Sequence, residues 1–168
     1  MYSIGDNVIY GSSGVMKIVD IRRERILSDE REYYVLKSPR AQAGAFTFVP
    51  VDNEKLTSMM RHLPTKEEIM EILHSGEIAS EEEWVKDNRI RTDRFKQVIE
   101  RGDLREIIAM IRLIYKMGLS RQAEGKKKLV SDESTRLKAE RLISAEFSLV
   151  LGIPEDEVGD FIAKELGE

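Results

Sequence analysis

The single tryptophan of this chain, Trp84, lies where the local charge changes sign. Three glutamates precede it at positions 81–83, and a basic stretch follows that extends to Lys128. A rigid apolar ring beside long cations can insert into a base stack while the cations contact phosphate groups. The alternative is a core tryptophan on a helix whose surrounding charges are solvated.

The spacing around Trp84 favours partial exposure of its ring. On one continuous helix, Trp84 would share a face with Phe95, but Asn88 and Arg91 lie on that face between them. These polar residues interrupt the apolar stripe that a core tryptophan requires. We therefore expect the indole ring to be at least partly exposed and to lie outside the main apolar stripe.

The charge of the chain is distributed in three parts. Residues 1–83 carry 10 Lys and Arg against 15 Asp and Glu, residues 84–128 carry 13 against 6, and residues 129–168 carry 4 against 10. A basic centre in a chain of net charge −4 indicates a directed contact with a polyanion. Solvated helices show the same kind of asymmetry, so charge alone does not identify the partner.

Residues 1–60 have the pattern of short strands joined by turns. The β-rich runs at 15–21 and 32–37 are separated from other runs by turn-forming segments at 11–14, 28–30 and 39–44. This pattern predicts a small, strongly bent antiparallel barrel of the SH3 or Tudor kind. A barrel of this size binds partners along its surface or at a strand edge.

From Pro64 the period of the apolar residues becomes helical. This change predicts a compact all-α domain over residues 61–168 and an α+β class for the whole chain. Tyr115 and Leu137 are among the residues expected to face its core.

Capping patterns predict where the helices begin and end. Ser80 and Glu83 form a capping-box pattern for a helix that would carry the tryptophan and end near Gly102. Ser131 or Asp132 is expected to cap a later helix.

Residues suited to catalysis or metal binding are scarce. The chain has no cysteine, which excludes a disulfide, a thiolate metal site and a thiol nucleophile. His62 and His74 have no acidic partner at ligand spacing, so we interpret both as structural. The sequence contains neither of the common glycine-rich phosphate-binding patterns. We predict a non-enzymatic protein without a metal, a cofactor or a small-molecule substrate.

The sequence also carries an expectation about location. Residues 1–20 lack the pattern of a secretory signal, and no apolar stretch approaches the roughly 20 residues that cross a bilayer. We expect a soluble cytoplasmic protein that has no membrane partner.

Several segments together resemble a known family. Ile4–Tyr10, Gly14-Val15, Glu32–Lys37 and Val49–Asn53 resemble the N-terminal domain of CarD/CdnL-type bacterial transcription regulators, which transcription-repair coupling factor shares. The resemblance implies a Tudor-like barrel that binds the β subunit of RNA polymerase. In the second half, Trp84 with its cations and the segments Gly102–Leu104 and Ala139–Ile143 follow the order of that family's DNA-binding domain.

The resemblance also implies site residues. Trp84 would contact DNA as an apolar wedge, with Lys86 and Arg89 on the flanking phosphates. Charge and position add further candidate DNA contacts at Arg91, Lys126, Lys127 and Lys128.

For the polymerase, the resemblance points to the outer strands of the barrel, where Arg23, Arg25 and Phe48 lie nearest. The alternative is that both arginines are ordinary solvated strand residues and that Phe48 belongs to the core.

The function that the resemblance implies is regulation of transcription initiation by two domains, residues 1–60 and 61–168. The first would bind the polymerase β subunit, and the second would bind promoter DNA at the upstream edge of the bubble and stabilise the open complex. The protein would then be associated with the nucleoid through RNA polymerase. Two other classes remain open, namely a KOW/Tudor-like RNA-binding or ribosome-associated factor and a protein-binding adaptor with an acidic partner.

Overall fold

The chain folds as two compact units, Met1–Leu63 and Pro64–Glu168. The computed structural model describes residues 1–26, 29–39, 42, 44–75 and 84–166. All five strands belong to the first unit and the five longer helices to the second, so the predicted α+β class is confirmed.

The first unit is built on one antiparallel sheet of five strands. Its strands pair in the order β4-β3-β2-β1-β5. A closed barrel was expected, but in the described residues the ladders leave the sheet open between β4 and β5. The strands are β1 (Asn7–Tyr10), β2 (Val15–Ile26), β3 (Asp29–Lys37), β4 (Thr47–Pro50) and β5 (Met60–His62).

Two short elements that follow β4 were not predicted from the sequence. Helix α1 (Glu54–Thr57) begins where the side chain of Asn53 accepts a hydrogen bond from the Leu56 amide. It is followed by β5, which adds an edge strand to β1 by pairing His62 with Val8. Elements of three or four residues are too short to display a hydrophobic period, which explains why the pattern missed them.

A β-bulge in β2 decides which side chains share a face of the sheet. The register of β2 against β3 shifts between Ile18 and Asp20, so one additional residue lies in β2. Before the bulge Ile18 pairs with Leu36, and after it Ile21 pairs with Tyr34. Odd-numbered residues therefore lie on the core side beyond the bulge, whereas even-numbered residues lie there before it.

The core of the first unit lies on one face of this sheet. The hydroxyl of Tyr2 donates a hydrogen bond to the Met60 carbonyl at 3.0 Å, and its ring meets that of Tyr34 edge to face. Burial, with a smaller contribution from Tyr34, raises the pKa of Tyr2 and keeps the phenol a neutral donor. The buried residues of this core are Val8, Met16, Ile18, Tyr34, Leu36, Val49 and Met60.

The second unit is a bundle of helices with well-defined ends. A capping box of Thr65 and Glu68 opens the first helix. Asp87 and Asp103 each cap the helix that follows, and Gly102 ends the helix between them with φ 72°. The helices are α2 (Lys66–His74), α3 (Asn88–Arg101), α4 (Leu104–Ala123), α5 (Val130–Leu151) and α6 (Val158–Leu166).

Two of the predicted helix starts differ from those in the structure. Helix α3 begins at Asn88, so Trp84 precedes the helix instead of lying within it, and the Ser80–Glu83 pattern falls outside the described residues. Helix α5 begins at Val130 without a side-chain cap. The Asp132 carboxylate, which was expected to cap α5, is instead buried against another helix.

All of these helices contribute side chains to the core of the second unit. Tyr115 and Leu137 were expected in this core but are 49% and 46% exposed, because each lies at the edge of its helix's apolar stripe. None of the helices in the described residues is long and apolar enough to span a membrane. Prominent core residues are Ile69, Leu73, Phe95, Ile99, Ile107, Ile114, Ile143, Phe147 and Val158.

Candidate functional site

Trp84 lies in a non-helical segment immediately before α3 and is half-buried. Its ring packs against the helical core, with 6.2 Å between its centroid and that of Phe95 and a tilted geometry. The expected partial exposure is confirmed. The expectation that the ring lies outside the main apolar stripe is wrong. The chain before the first residue of α3 is not helical, and it brings the ring into contact with the core.

Arg91 is the centre of the polar structure around Trp84. Its side chain is 2% exposed. The Nε and Nη2 groups donate to the two carboxylate oxygens of Asp132 at 3.1 and 2.9 Å. Its guanidinium carbon lies 4.4 Å from the centroid of the Trp84 ring, a cation–π distance. Because the guanidinium is enclosed, Arg91 cannot contact a DNA phosphate in this structure, and we correct that expectation.

The remaining donors of Arg91 hold the chain that carries Trp84. Nη1 donates to the carbonyl oxygens of Val85 and Lys86 at 2.8 and 3.2 Å. Nη2 also donates to Oδ1 of Asn88 at 2.8 Å, and the same oxygen accepts a hydrogen bond from the hydroxyl of Ser131 at 2.9 Å. The start of α5 is thereby joined to the start of α3.

Lys86 and Arg89 are exposed on either side of this buried group. Lys86 lies in the same non-helical segment as Trp84, whereas Arg89 lies in the first turn of α3. Within the described part of the chain neither side chain pairs with a carboxylate. Both cations are therefore available to contact a phosphate beside the half-exposed indole ring.

The three lysines of the loop before α5 differ in their environments. Lys126 pairs with Glu124 at 2.7 Å, and this hydrogen bond and charge lower the pKa of the Glu124 carboxyl. Lys127 is exposed, while the partly buried Lys128 places its ammonium 5.6 Å from the centroid of the Tyr115 ring.

This basic loop and the Trp84 segment converge at one end of the helical unit. The loop leads directly into the first turn of α5, whose Ser131 contacts Asn88. Five of the predicted cations therefore belong to the two segments that meet at this contact, namely Lys86, Arg89, Lys126, Lys127 and Lys128.

The residues predicted to contact the polymerase do not lie together. Phe48 is half-buried on β4, meets Tyr33 edge to face at 6.1 Å, and lies 5.9 Å from the guanidinium carbon of Arg22. Arg23 and Arg25 belong to the opposite face of the sheet because of the bulge in β2. The arginine beside Phe48 is thus Arg22, which was not predicted.

Arg23 and Arg25 also have acidic neighbours across the strand. Their cross-strand partners are Glu32 and Glu30, directly opposite on β3. If side chains are assumed to alternate regularly from Ile18 onward, Arg23 and Arg25 are assigned to the wrong face. No residue type in the strand marks the position of the bulge.

Other functional residues that the sequence did not reveal are Asp132 and Asn88. The spacing of Asn88 and Arg91 is that of neighbours on a helix, which was available as a signal. Asp132, however, lies 41 residues from Arg91, and only folding brings the two together. Among the described residues no group of three or more histidines and carboxylates could hold a metal ion.

Comparison with known proteins identifies the first unit. Residues 2–63 match the family of the CarD-like/TRCF RID domain. The first unit is therefore similar to CarD-like/TRCF RID domains. The match covers the five-stranded sheet and ends at the boundary between the two units, so the resemblance to the CarD-like family is confirmed. A CarD-like/TRCF RID domain implies an interaction with RNA polymerase.

A relative extends the similarity across both units. The chain is 24% identical over 164 residues to a protein of Bacillus subtilis (strain 168) named "Putative transcription factor YdeB". The alignment covers 96% of this chain and 99% of that protein. Together with the CarD-like/TRCF RID domain, this similarity supports a role in transcription regulation.

The packing of Trp84 leads to a prediction about stability. Truncating a buried aromatic residue to alanine costs about 4 kcal/mol, and the ring of Trp84 is only half-buried. We expect Trp84→Ala to lower the free energy of unfolding of the helical unit by about 2 kcal/mol, measured by urea denaturation.

The matched control for this prediction is Ile90→Ala, because Ile90 is 52% exposed at the start of α3. This variant should change the free energy of unfolding by less than about 0.5 kcal/mol. Equal losses for both variants would contradict the packing described for Trp84.

Proposed function

We propose that this protein regulates transcription initiation by binding the β subunit of RNA polymerase through its first unit and promoter DNA through its second. The observation that carries the proposal is the CarD-like/TRCF RID match over residues 2–63, followed in the same chain by a group of exposed cations beside a half-buried tryptophan. The first unit supplies the protein contact, and the second supplies cations for phosphates and an apolar ring for the base stack.

The face of the sheet that carries Phe48 is the surface proposed for the β subunit. A half-buried aromatic ring with a neighbouring arginine is typical of the residues that dominate binding energy at protein interfaces. Arg22 is half-exposed and also pairs with Asp20 and Glu24, which orients its guanidinium along this face. On the opposite face, Arg23 and Arg25 lie directly across from Glu32 and Glu30 of the neighbouring strand.

Capture of polymerase by fragments of the chain tests this assignment. Residues 1–63 should fold and retain the β subunit from a bacterial lysate, whereas residues 64–168 should not. A fragment of residues 1–58 provides a control because it lacks β5 and with it the buried Met60. Retention of ribosomal proteins without polymerase would contradict the proposal and favour the RNA-binding class.

Two adjacent arginines sharpen this test in the full-length protein. Arg22→Ala should weaken capture of the β subunit, because it removes the cation beside Phe48. Arg23→Ala is the matched control on the opposite face and should leave capture unchanged. The reverse pattern would assign the contact to the other face of the sheet.

Lys86 and Arg89 are the proposed phosphate contacts nearest to Trp84. Lys86 lies in the segment that Arg91 holds in place, and Arg89 lies in the first turn of α3 just after it, so their charges lie close to any strand that the ring contacts. Charge-based contacts of this kind are independent of base identity and weaken as salt is added.

The expected signature is a change in salt dependence. Lys86→Ala or Arg89→Ala should reduce the slope of log Kobs against log salt by about one unit, equally on unrelated promoter sequences. The control is Lys96→Ala, because Lys96 lies on the same helix, is 70% exposed and pairs with Glu100. A loss confined to one promoter sequence would indicate base readout instead.

Trp84 is proposed to act as a wedge at the upstream edge of the promoter bubble. Inserting an apolar side chain between stacked bases costs a few kcal/mol in intact duplex. At a junction that polymerase has already melted, most of this unstacking has occurred, so insertion favours the open complex over the closed one. Attachment to polymerase also raises the local concentration of DNA, which allows the contact to be weak.

The lifetime of open complexes tests whether Trp84 acts as this wedge. A preference of about 1.4 kcal/mol corresponds to a tenfold change, so Trp84→Ala should shorten the lifetime by about tenfold in the presence of competitor DNA. Trp84→Phe should retain part of the effect because it keeps a smaller flat ring. Ile90→Ala should behave as wild type, and an unchanged lifetime for Trp84→Ala would exclude the wedge.

A further inference from the structure

All five N–H donors of the Arg91 guanidinium have acceptors. Two are directed to the carboxylate of Asp132, two to the carbonyl oxygens of Val85 and Lys86, and one to the side chain of Asn88. Its guanidinium carbon also lies 4.4 Å from the centroid of the Trp84 ring. A single side chain therefore contacts the ring, the two residues that follow it and the first residue of α3.

Stability alone does not account for this arrangement. Burying two charges requires removing both from water, and well-packed apolar side chains of similar size are often as stabilising as a buried ion pair. An apolar pair in place of Arg91 and Asp132 would fill the same space. It could not donate hydrogen bonds to the carbonyl oxygens of Val85 and Lys86, which lie outside any helix.

We propose that Arg91 is a positioning residue for Trp84, and that Asp132 holds Arg91 in place from the first turn of α5. The planar guanidinium fixes the direction of the non-helical segment and limits rotation of the indole that rests on it. Its effect on promoter DNA rests on the proposed function, whereas the positioning itself is a property of the free protein.

The arrangement divides the cations of this surface into two roles. Lys86 and Arg89 face solvent and contribute charge, while Arg91 is enclosed and contributes geometry. Removing Arg91 should therefore leave the salt slope of DNA binding unchanged. It should alter the position of the Trp84 ring beside these two exposed cations. A loss of one unit in that slope for the paired substitutions Arg91→Met and Asp132→Leu, which remove the positive charge at position 91, would show a direct phosphate contact and overturn the positioning role.

Fluorescence provides a direct readout because Trp84 is the only tryptophan. The test uses the full chain with the paired substitutions Arg91→Met and Asp132→Leu, which keep the site filled and remove both charges together. We expect unchanged helical circular dichroism, a shift of the emission maximum to longer wavelength and stronger quenching by acrylamide. Emission and quenching identical to wild type would overturn the proposal.

A second variant and a control distinguish loss of positioning from a general change in the fold. Arg91→Lys retains a positive charge for Asp132 but loses the planar group that reaches the two carbonyl oxygens. It should show the same increase in quenching as the paired variant. Arg136→Lys is the control, because Arg136 forms ion pairs with Glu133 and Glu140 on α5, and it should leave Trp84 emission unchanged.

A double-mutant cycle connects this geometry to DNA. Arg91→Lys should shorten the open-complex lifetime in the wild-type chain, up to the about tenfold expected for Trp84→Ala. In a chain that already carries Trp84→Ala it should have no further effect, and an additional shortening there would overturn the proposal. If Trp84→Ala itself left the lifetime unchanged, the wedge would fail, and the fluorescence result would still decide the positioning.

Discussion

The buried pair of Arg91 and Asp132 is the interaction on which the candidate DNA-contacting surface depends. A charge enclosed at this depth requires a partner and a full set of hydrogen bonds, and removing one partner of such a pair typically costs about 3–5 kcal/mol. Here the requirement is met by a carboxylate on α5, two backbone carbonyl oxygens and Asn88. One buried guanidinium thus holds together the start of α3, the start of α5 and the segment that carries Trp84.

A different constraint organises the first unit. The additional residue in β2 reverses which side chains face the core, so that Ile18 and Ile21 both pack inward although they are three residues apart. The same reversal places Arg22 beside Phe48 and sends Arg23 to the opposite face. A local irregularity in one strand therefore decides which arginine lies beside the half-buried Phe48.

The two units illustrate different uses of charge. In the described part of the helical unit, the exposed Lys86 and Arg89 have no carboxylate partner, while Arg91 is enclosed and structural. In the sheet, Arg22 forms ion pairs with Asp20 and Glu24, and Arg23 and Arg25 lie opposite Glu32 and Glu30 on the neighbouring strand. Net charge along the sequence indicates where a polyanion could be contacted, but burial and pairing determine which of those cations can reach it.

The sequence by itself determined the α+β class, the change from strands to helices near Pro64, the end of a helix at Gly102 and the partial exposure of Trp84. These features follow from local patterns of apolar period and capping, which a linear sequence carries.

Tertiary structure alone decided the partner of Arg91, the buried state of Asp132 and the face on which Arg22 lies. An ion pair across 41 residues and a bulge that shifts a strand register have no local signature. Both depend on how elements that are distant in the sequence pack together, because packing decides which charges and apolar side chains are buried and which partners they have.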